Sequence, residues 1–229
     1  LGVDVSSAQI TFGAGNDLTW LSLNSPVSIS DAVIDQLTVA SAATITDSTI
    51  GYVTLNGGSP TLSGNRFTDA RPIHIADPDA QTVGFSGNSY DFADRYYGIR
   101  GTLNGNRVLG DVEGSARYVL EDDLTVNAGA TLTMSPGVEF RTENCTHEVY
   151  VSGTLNASGV DFNSLYCGEI YVQNGGEANL SDSTFNLNAP SYTFRVSYNG
   201  GSQGSMEYCS GRLGVDVSSA QITFGAGND

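Results

Sequence analysis

The chain has 229 residues, of which 25 are acidic, 9 are basic and 28 are glycine, and its formal net charge is -16. All nine basic residues are arginine, so lysine-dependent chemistry such as a Schiff base or a P-loop is excluded. An acidic surface repels phosphate, so we expect no nucleic-acid partner. No apolar run reaches the 18 or more residues of a membrane-spanning helix, so we expect no membrane insertion in this segment.

Short runs of alternating apolar and polar residues, rich in Val, Ile, Thr and Tyr, predict half-buried strands. In chain order these runs are Leu18–Leu23, Gln36–Val39, Tyr52–Leu55, Pro72–Ile75, Tyr96–Ile99, Tyr118–Leu120, Glu148–Val151, Glu169–Val172, Phe194–Val196 and Leu213–Val217. Apolar residues nowhere follow the spacing i, i+3, i+4 and i+7 over a dozen residues, so no helix is predicted.

A hexapeptide pattern recurs between these runs, in which an apolar residue is followed at plus three by a small polar residue and at plus five by a second apolar residue. The instances are Ile45-Ser48-Ile50, Leu62-Asn65-Phe67, Phe85-Asn88-Tyr90, Leu103-Asn106-Val108, Leu155-Ser158-Val160, Leu180-Ser183-Phe185 and, more weakly, Val5-Ala8-Ile10. We predict that the Asn and Ser residues lie at corners, where they adopt left-handed backbone and bond to their equivalents in the next coil.

A coil of about 20 residues that stacks on its own copy forms a parallel β-helix, a solenoid. The sequence therefore predicts an all-β fold with about ten coils in 212 residues. Because neighbouring strands are about 4.8 Å apart, ten coils would extend on the order of 50 Å.

The hexapeptides resemble the right-handed parallel β-helix repeat shared by secreted pectin-degrading enzymes, phage tailspikes and many microbial surface proteins. The stretch Leu124–Phe140, LTVNAGATLTMSPGVEF, followed by Val151–Leu155, is similar to a coil sequence common in large secreted β-helix proteins. The resemblance implies a right-handed β-helix at an extracellular or cell-surface location. It implies no particular activity, because the matching residues are turn and core residues.

The largest repeat is a duplication: residues 1–17, LGVDVSSAQITFGAGND, recur without change as residues 213–229. We interpret residues 1–212 as one repeat of a tandem array and residues 213–229 as the start of the next, identical repeat. Neighbouring copies, stacked end to end, are then the expected partners. An artificially duplicated segment and a circular permutation are the alternative interpretations.

The chain has three cysteines. Cys145 lies three residues before the run Glu148–Val151, and Cys167 lies two residues before Glu169–Val172. Aligning the runs places both sulfurs on adjacent coils, which predicts a disulfide, with buried free thiols as the alternative. Cys209 is then either a core thiol or an intermolecular cross-link.

Three further groups of residues are candidates for binding or modification. Possible glycosylation acceptors are Asn144, Asn156 and Asn179, each in an Asn-X-Ser/Thr triplet. A sugar-binding stripe on the outer face is the alternative to a core position for Tyr96, Tyr97, Tyr192, Tyr198 and Tyr208. Weak calcium ligands are Asp77, Asp79, Asp122 and Asp123.

Enzymatic activity is not expected. Hydrolases of this fold need two or three carboxyl groups converging on adjacent coils, and the motifs of pectin hydrolases are missing. Glu148 and Glu169 do align one coil apart, but stacked like charges suggest a metal ion or simple exposure before catalysis. No firm metal site and no cofactor, calcium apart, are expected, since His74 and His147 lack zinc-site spacing.

These observations predict a structural repeat of a large, filamentous, extracellular microbial surface protein. An adhesin stalk that binds surface glycans is the alternative function. A polysaccharide lyase or hydrolase is a third and less favoured one.

Overall fold

The structure, a computed structural model, describes residues 2–6, 11–12, 17–80, 85–187 and 192–229. In these ranges the protein is all-β, without a helix, and its parallel strands stack as a β-solenoid of about 9 turns. The predicted parallel β-helix is therefore confirmed, with about nine turns where the sequence suggested about ten. Ala8 and Ile10 of the weakest hexapeptide lie outside the described residues.

The chain divides into two compact units. The first comprises Leu1–Gly98 and Val112–Ser115, and the second comprises Ile99–Asp111 and Ala116–Asp229. Strands of the first unit are β1 (Gly2–Val5), β2 (Thr11–Phe12), β3 (Asp17–Leu23), β4 (Ser28–Ser30), β5 (Val33–Val39), β6 (Thr44–Thr46), β7 (Thr49–Leu55), β8 (Thr61–Ser63), β9 (Arg66–Phe67), β10 (Ile73–Ile75), β11 (Phe85–Ser86) and β12 (Ser89–Tyr90).

Strand β13 (Tyr97–Leu103) starts in the first unit and ends in the second. Strands of the second unit are β14 (Asn106–Leu109), β15 (Arg117–Val126), β16 (Thr131–Met134), β17 (Glu139–Thr142), β18 (Val149–Val151), β19 (Thr154–Ser158), β20 (Asp161–Ser164), β21 (Gly168–Val172), β22 (Glu177–Ser181), β23 (Thr184–Leu187), β24 (Phe194–Tyr198), β25 (Gln203–Glu207), β26 (Ser210–Gly211), β27 (Leu213–Val217) and β28 (Gln221–Phe224). Each of the ten predicted runs overlaps one of these strands.

The first unit has short turns and an aliphatic core. Leu21 pairs with Leu37, and Leu37 pairs with Val53, so these turns are 16 residues long. All three side chains are buried, because each strand turns alternate residues inward and the next turn covers them.

The second unit has longer turns and an aromatic core. Leu132 pairs with Leu155, and Leu155 pairs with Ala178, so these turns are 23 residues long. The rings of Phe140, Phe162 and Phe185 form a buried ladder on three successive turns.

The corners are polar ladders, as predicted at Asn65 and Asn88. The Asn65 side-chain NH₂ donates to the Asn88 side-chain oxygen at 3.2 Å, and the Ile45 carbonyl also accepts from it at 3.0 Å. The predicted left-handed backbone, however, belongs to the preceding residue, as at Gly64 (φ 68°) and Asp47 (φ 50°). This residue turns the chain, so the side chain that follows it points inward.

Two of the predicted corners, Ser158 and Asn106, are wrong. Ser158 is exposed in β19 and pairs with Ser181, and Val160 donates its N–H to the Ser183 hydroxyl at 3.3 Å. The corner of that turn is therefore Val160, two residues later than predicted. Asn106 is exposed at the start of β14 and forms no corner.

Candidate functional site

The two copies of the duplicated segment use opposite edges of the same strand. In the first copy, β1 pairs with the strand that follows it, with Gly2 opposite Trp20 and Val5 opposite Leu23. In the second copy, the equivalent β27 pairs with the strand that precedes it, β24, with Gly214 opposite Arg195. The same sequence therefore pairs with the following strand in its first copy and with the preceding strand in its second copy.

The two sets of hydrogen bonds occupy different backbone groups. The Val5 carbonyl accepts from the N–H of Asn24 at 2.9 Å. In the other copy, the N–H of Ser218, the equivalent of Ser6, donates to the Tyr198 carbonyl at 2.8 Å. Because successive residues of a strand direct their backbone groups to opposite edges, one strand is able to make both sets of bonds at once.

The other two sides of each turn follow the same pattern. Strand β28 pairs with the preceding β25, placing Thr223 opposite Ser205, whereas Thr11, its equivalent in β2, pairs with Ser28 of the following β4. On the third side, the N–H of Asp229 donates to the Cys209 carbonyl at 3.0 Å. Its equivalent, Asp17, pairs with Val33.

Side chains also differ between the copies. Val5 is 2% exposed beneath the turn that follows it, whereas the equivalent Val217 is 49% exposed. The carboxylate of Asp4 accepts from the Asn24 side-chain NH₂ at 3.0 Å, and the equivalent Asp216 lies 3.2 Å from Nε of Arg195. The aspartate therefore has one partner on each side.

The predicted disulfide joins Cys145 to Cys167, whose Cα atoms are 5.1 Å apart on adjacent turns. Cys209 is free and 2% exposed. Burial raises the pKa of its thiol. The structure thus favours the core-thiol interpretation of Cys209 over the intermolecular cross-link, because a buried sulfur cannot reach a second chain.

Beside the disulfide lies a recess of about 290 Å³, lined by Glu148, Glu169, Arg195 and Tyr192 among others. The pairing of Val149 with Ile170 places Glu148 beside Glu169, in the register expected from sequence. Both carboxylates are already partnered. Glu148 accepts from the Tyr150 hydroxyl, and Glu169 accepts from the Ser197 hydroxyl at 2.7 Å and lies 3.8 Å from Arg195.

Two tyrosines of this face were not among the predicted site residues. Tyr150 and Tyr171 stack with ring centroids 5.5 Å apart and an interplanar angle of 12°. The hydrogen bond to Glu148 raises the pKa of Tyr150 to about 12, and desolvation together with a bond to Glu169 raises that of Tyr171 to about 12. The signal was present, since Glu-Val-Tyr-Val and Glu-Ile-Tyr-Val each alternate polar with aliphatic residues.

Of the five tyrosines considered for a sugar-binding stripe, two lie in the core, and Tyr96 is partly buried. Tyr97 and Tyr198 are 1% exposed and belong to the core, where their hydroxyls donate to backbone carbonyls. Tyr192 and Tyr208 are about half exposed, at 47% and 53%. Tyr97 and Tyr198 are buried because they lie in β13 and β24, where the alternation of side chains turns their rings inward.

Two of the calcium candidates, Asp77 and Asp79, lie in a turn, whereas Asp122 and Asp123 lie in β15. The Asp77 carboxylate accepts from the N–H of Asp79 at 3.0 Å, and that of Asp122 from the N–H of Asp123 at 2.9 Å. Asp123 also accepts from the N–H of Glu148 at 3.0 Å. No group of three or more His, Cys, Asp or Glu side chains suited to a metal ion occurs among the described residues.

The three glycosylation candidates differ in setting. Asn144 lies in a loop, where its side-chain oxygen accepts from the backbone N–H and the hydroxyl of Thr146, both at 3.1 Å. Asn156 and Asn179 lie in β19 and β22 and are paired there, with the Asn179 NH₂ donating to the Asn156 oxygen at 3.1 Å. Glycosylation of either strand residue would interrupt this ladder.

Comparisons of the chain with protein-family models, with curated proteins and with solved structures find no match. The part of the chain that the structure describes contains no candidate membrane-spanning helix.

Proposed function

We propose that residues 1–212 form the repeat of a tandem array, in which successive copies stack into one continuous parallel β-solenoid. The observation that supports this proposal best is the use of opposite edges by the two copies of one segment. In an array, the residues numbered here 213–229 are also residues 1–17 of the next copy. Each junction then satisfies both edges of the shared strands, and no cap is needed there.

The proposed role is structural. Each junction adds backbone hydrogen bonds on three sides and covers apolar side chains such as Val217, so the array gains stability from neighbouring turns, as solenoids do. The negative charge of every copy keeps neighbouring filaments apart. The disulfide suits an oxidising environment, which supports an extracellular or cell-surface location in a protein of the secreted β-helix type.

A protein containing two copies in tandem tests the shared strand by cysteine cross-linking. In this protein Thr223 of the first copy is also Thr11 of the second copy. One variant combines a Cys at this position with Ser205→Cys in the first copy and should form a disulfide, since these residues pair within the present chain. A second variant combines the same junction Cys with Ser28→Cys in the second copy. It should also form a disulfide, because paired strands about 4.8 Å apart meet the geometry of a disulfide.

The matched control places Ser28→Cys in the first copy, where its neighbour is that copy's own Thr11, and no cross-link to the junction cysteine should form. Mass spectrometry of peptides prepared without reduction detects the disulfide in each of the three variants. If the junction cysteine cross-links to Ser205→Cys but never to Ser28→Cys of the second copy, successive copies do not stack and the proposal is wrong. Electron microscopy of the natural material should show unbranched filaments at the cell surface.

A further inference from the structure

This inference rests on the proposed function and concerns one outward-facing row of side chains at the junction. In the second unit, the register places Glu148, Glu169, Arg195 and Gly214 in one row on successive turns. In the first unit, Gly2, Trp20, Gln36 and Tyr52 form such a row. Because Gly214 is the equivalent of Gly2, the two rows join when copies stack.

Trp20 lies across the glycine that precedes it in the row. A Cβ atom on Gly2 would overlap the Trp20 indole, so the ring rests directly on the glycine backbone. Any other residue at Gly2 would force the ring away. Trp20 is the only tryptophan of the chain, and it is 46% exposed.

At the other copy of this glycine, the space taken by the indole is empty. A Cβ atom on Gly214 would meet only ordinary contacts, at 3.7 Å from the Thr193 hydroxyl and 3.8 Å from the Phe194 carbonyl. Arg195 lies directly opposite Gly214, and its side chain is 50% exposed. Its Nε, 3.2 Å from Asp216, extends toward the strand that contains the glycine.

We propose that Trp20 of one copy stacks on Arg195 of the preceding copy across the shared glycine, as a cation–π contact that locks the junction. The indole spans the glycine strand, and the guanidinium lies on the next strand, about 4.8 Å further on. This separation is within the approximately 6 Å over which a guanidinium and an aromatic ring attract. Arg is suited to this position, since its planar guanidinium stacks on rings.

The neighbouring row supports the same arrangement. The carboxylate that Arg195 approaches, Asp216, is the equivalent of Asp4, which accepts from Asn24 of the following turn. In the array one aspartate would hold Arg195 on one side and Asn24 of the next copy on the other. Asp216 thereby holds Arg195 on the side of the shared glycine strand, toward the indole of the next copy, and Glu169, 3.8 Å from Nη1, lies on its other side.

Tryptophan fluorescence of the two-copy protein tests the contact. One variant keeps tryptophan only at the junction, with Trp20→Phe in the first copy, and the matched control keeps it only in the first copy. We expect the junction tryptophan to emit at shorter wavelength and to be quenched less by acrylamide than the control tryptophan. Arg195→Gln in the first copy should move both readings toward those of the control, and Arg195→Lys should do so only in part.

The cross-link between Thr223→Cys and Ser28→Cys, measured in the same proteins, separates the two proposals. If this cross-link fails to form, the copies do not stack and both proposals are wrong. The cross-link could instead form while the junction tryptophan emits like the control, or while Arg195→Gln leaves its emission unchanged. In either case the copies stack without the Trp20 contact, and only this inference is overturned. Replacing the shared glycine with Ala gives a second check, since its Cβ atom should displace the indole and reverse the spectral shift.

Discussion

Removing the central ring of the aromatic ladder should destabilise the second unit strongly. Phe162 is fully buried, and its ring centroid lies 6.2 Å from Phe140, 4.9 Å from Phe185 and 5.5 Å from Phe194. Phe162→Ala leaves a cavity in a core that packs in both directions along the stack. We expect the free energy of unfolding to fall by about 5 kcal/mol.

Phe140→Ala is the matched comparison, because Phe140 is equally buried but has two fewer of these ring contacts within the described residues. Each aromatic pair contributes about 0.5–1.5 kcal/mol beyond burial, so Phe162→Ala should cost about 2 kcal/mol more than Phe140→Ala. Urea unfolding followed by circular dichroism measures both, and Tyr166→Ala, at a 52% exposed position, should change little. Equal losses for the two phenylalanines would refute the ladder argument.

Three further predictions concern single interactions. Replacing Cys145 and Cys167 with Ser should lower the free energy of unfolding by about 3 kcal/mol, because the bond joins residues 22 positions apart; a urea midpoint equal to that of the parent protein with its disulfide intact would contradict this. Tyr150 should ionise near pH 12 in an ultraviolet titration, and Glu148→Gln should lower that pKa. Since its folded-state pKa is raised, the stabilisation is complete below about pH 10 and is lost as the pH rises towards 12, and a stability that rises over this range would be the opposite result. Asn65→Ala should cost about 3 kcal/mol, because it leaves the buried Ile45 carbonyl and Ser48 N–H without their partner, whereas the exposed Asn106→Ala should be nearly neutral and serves as the control.

Much of the candidate site could be predicted where the local pattern repeats. The shared alternation of Glu148–Val151 and Glu169–Val172 correctly aligned two strands, and this register led to the disulfide. The prediction failed at Ser158, because the left-handed residue of that turn is Gly159 (φ 64°), so the corner is Val160. The small polar residue at plus three was therefore a poorer guide than the glycine that precedes the corner.

The sequence by itself determined that the chain is an all-β parallel solenoid and that one segment occurs twice, because alternation, turn residues and identity are local properties of the chain. Only the tertiary structure decided which edge each copy of the segment uses, which tyrosines face inward and where Trp20 lies. These depend on hydrogen-bond register between residues 16 to 26 positions apart, as between Leu21 and Leu37 or between Tyr171 and Ser197. A shift of one residue in that register would turn every side chain of a strand to the opposite face.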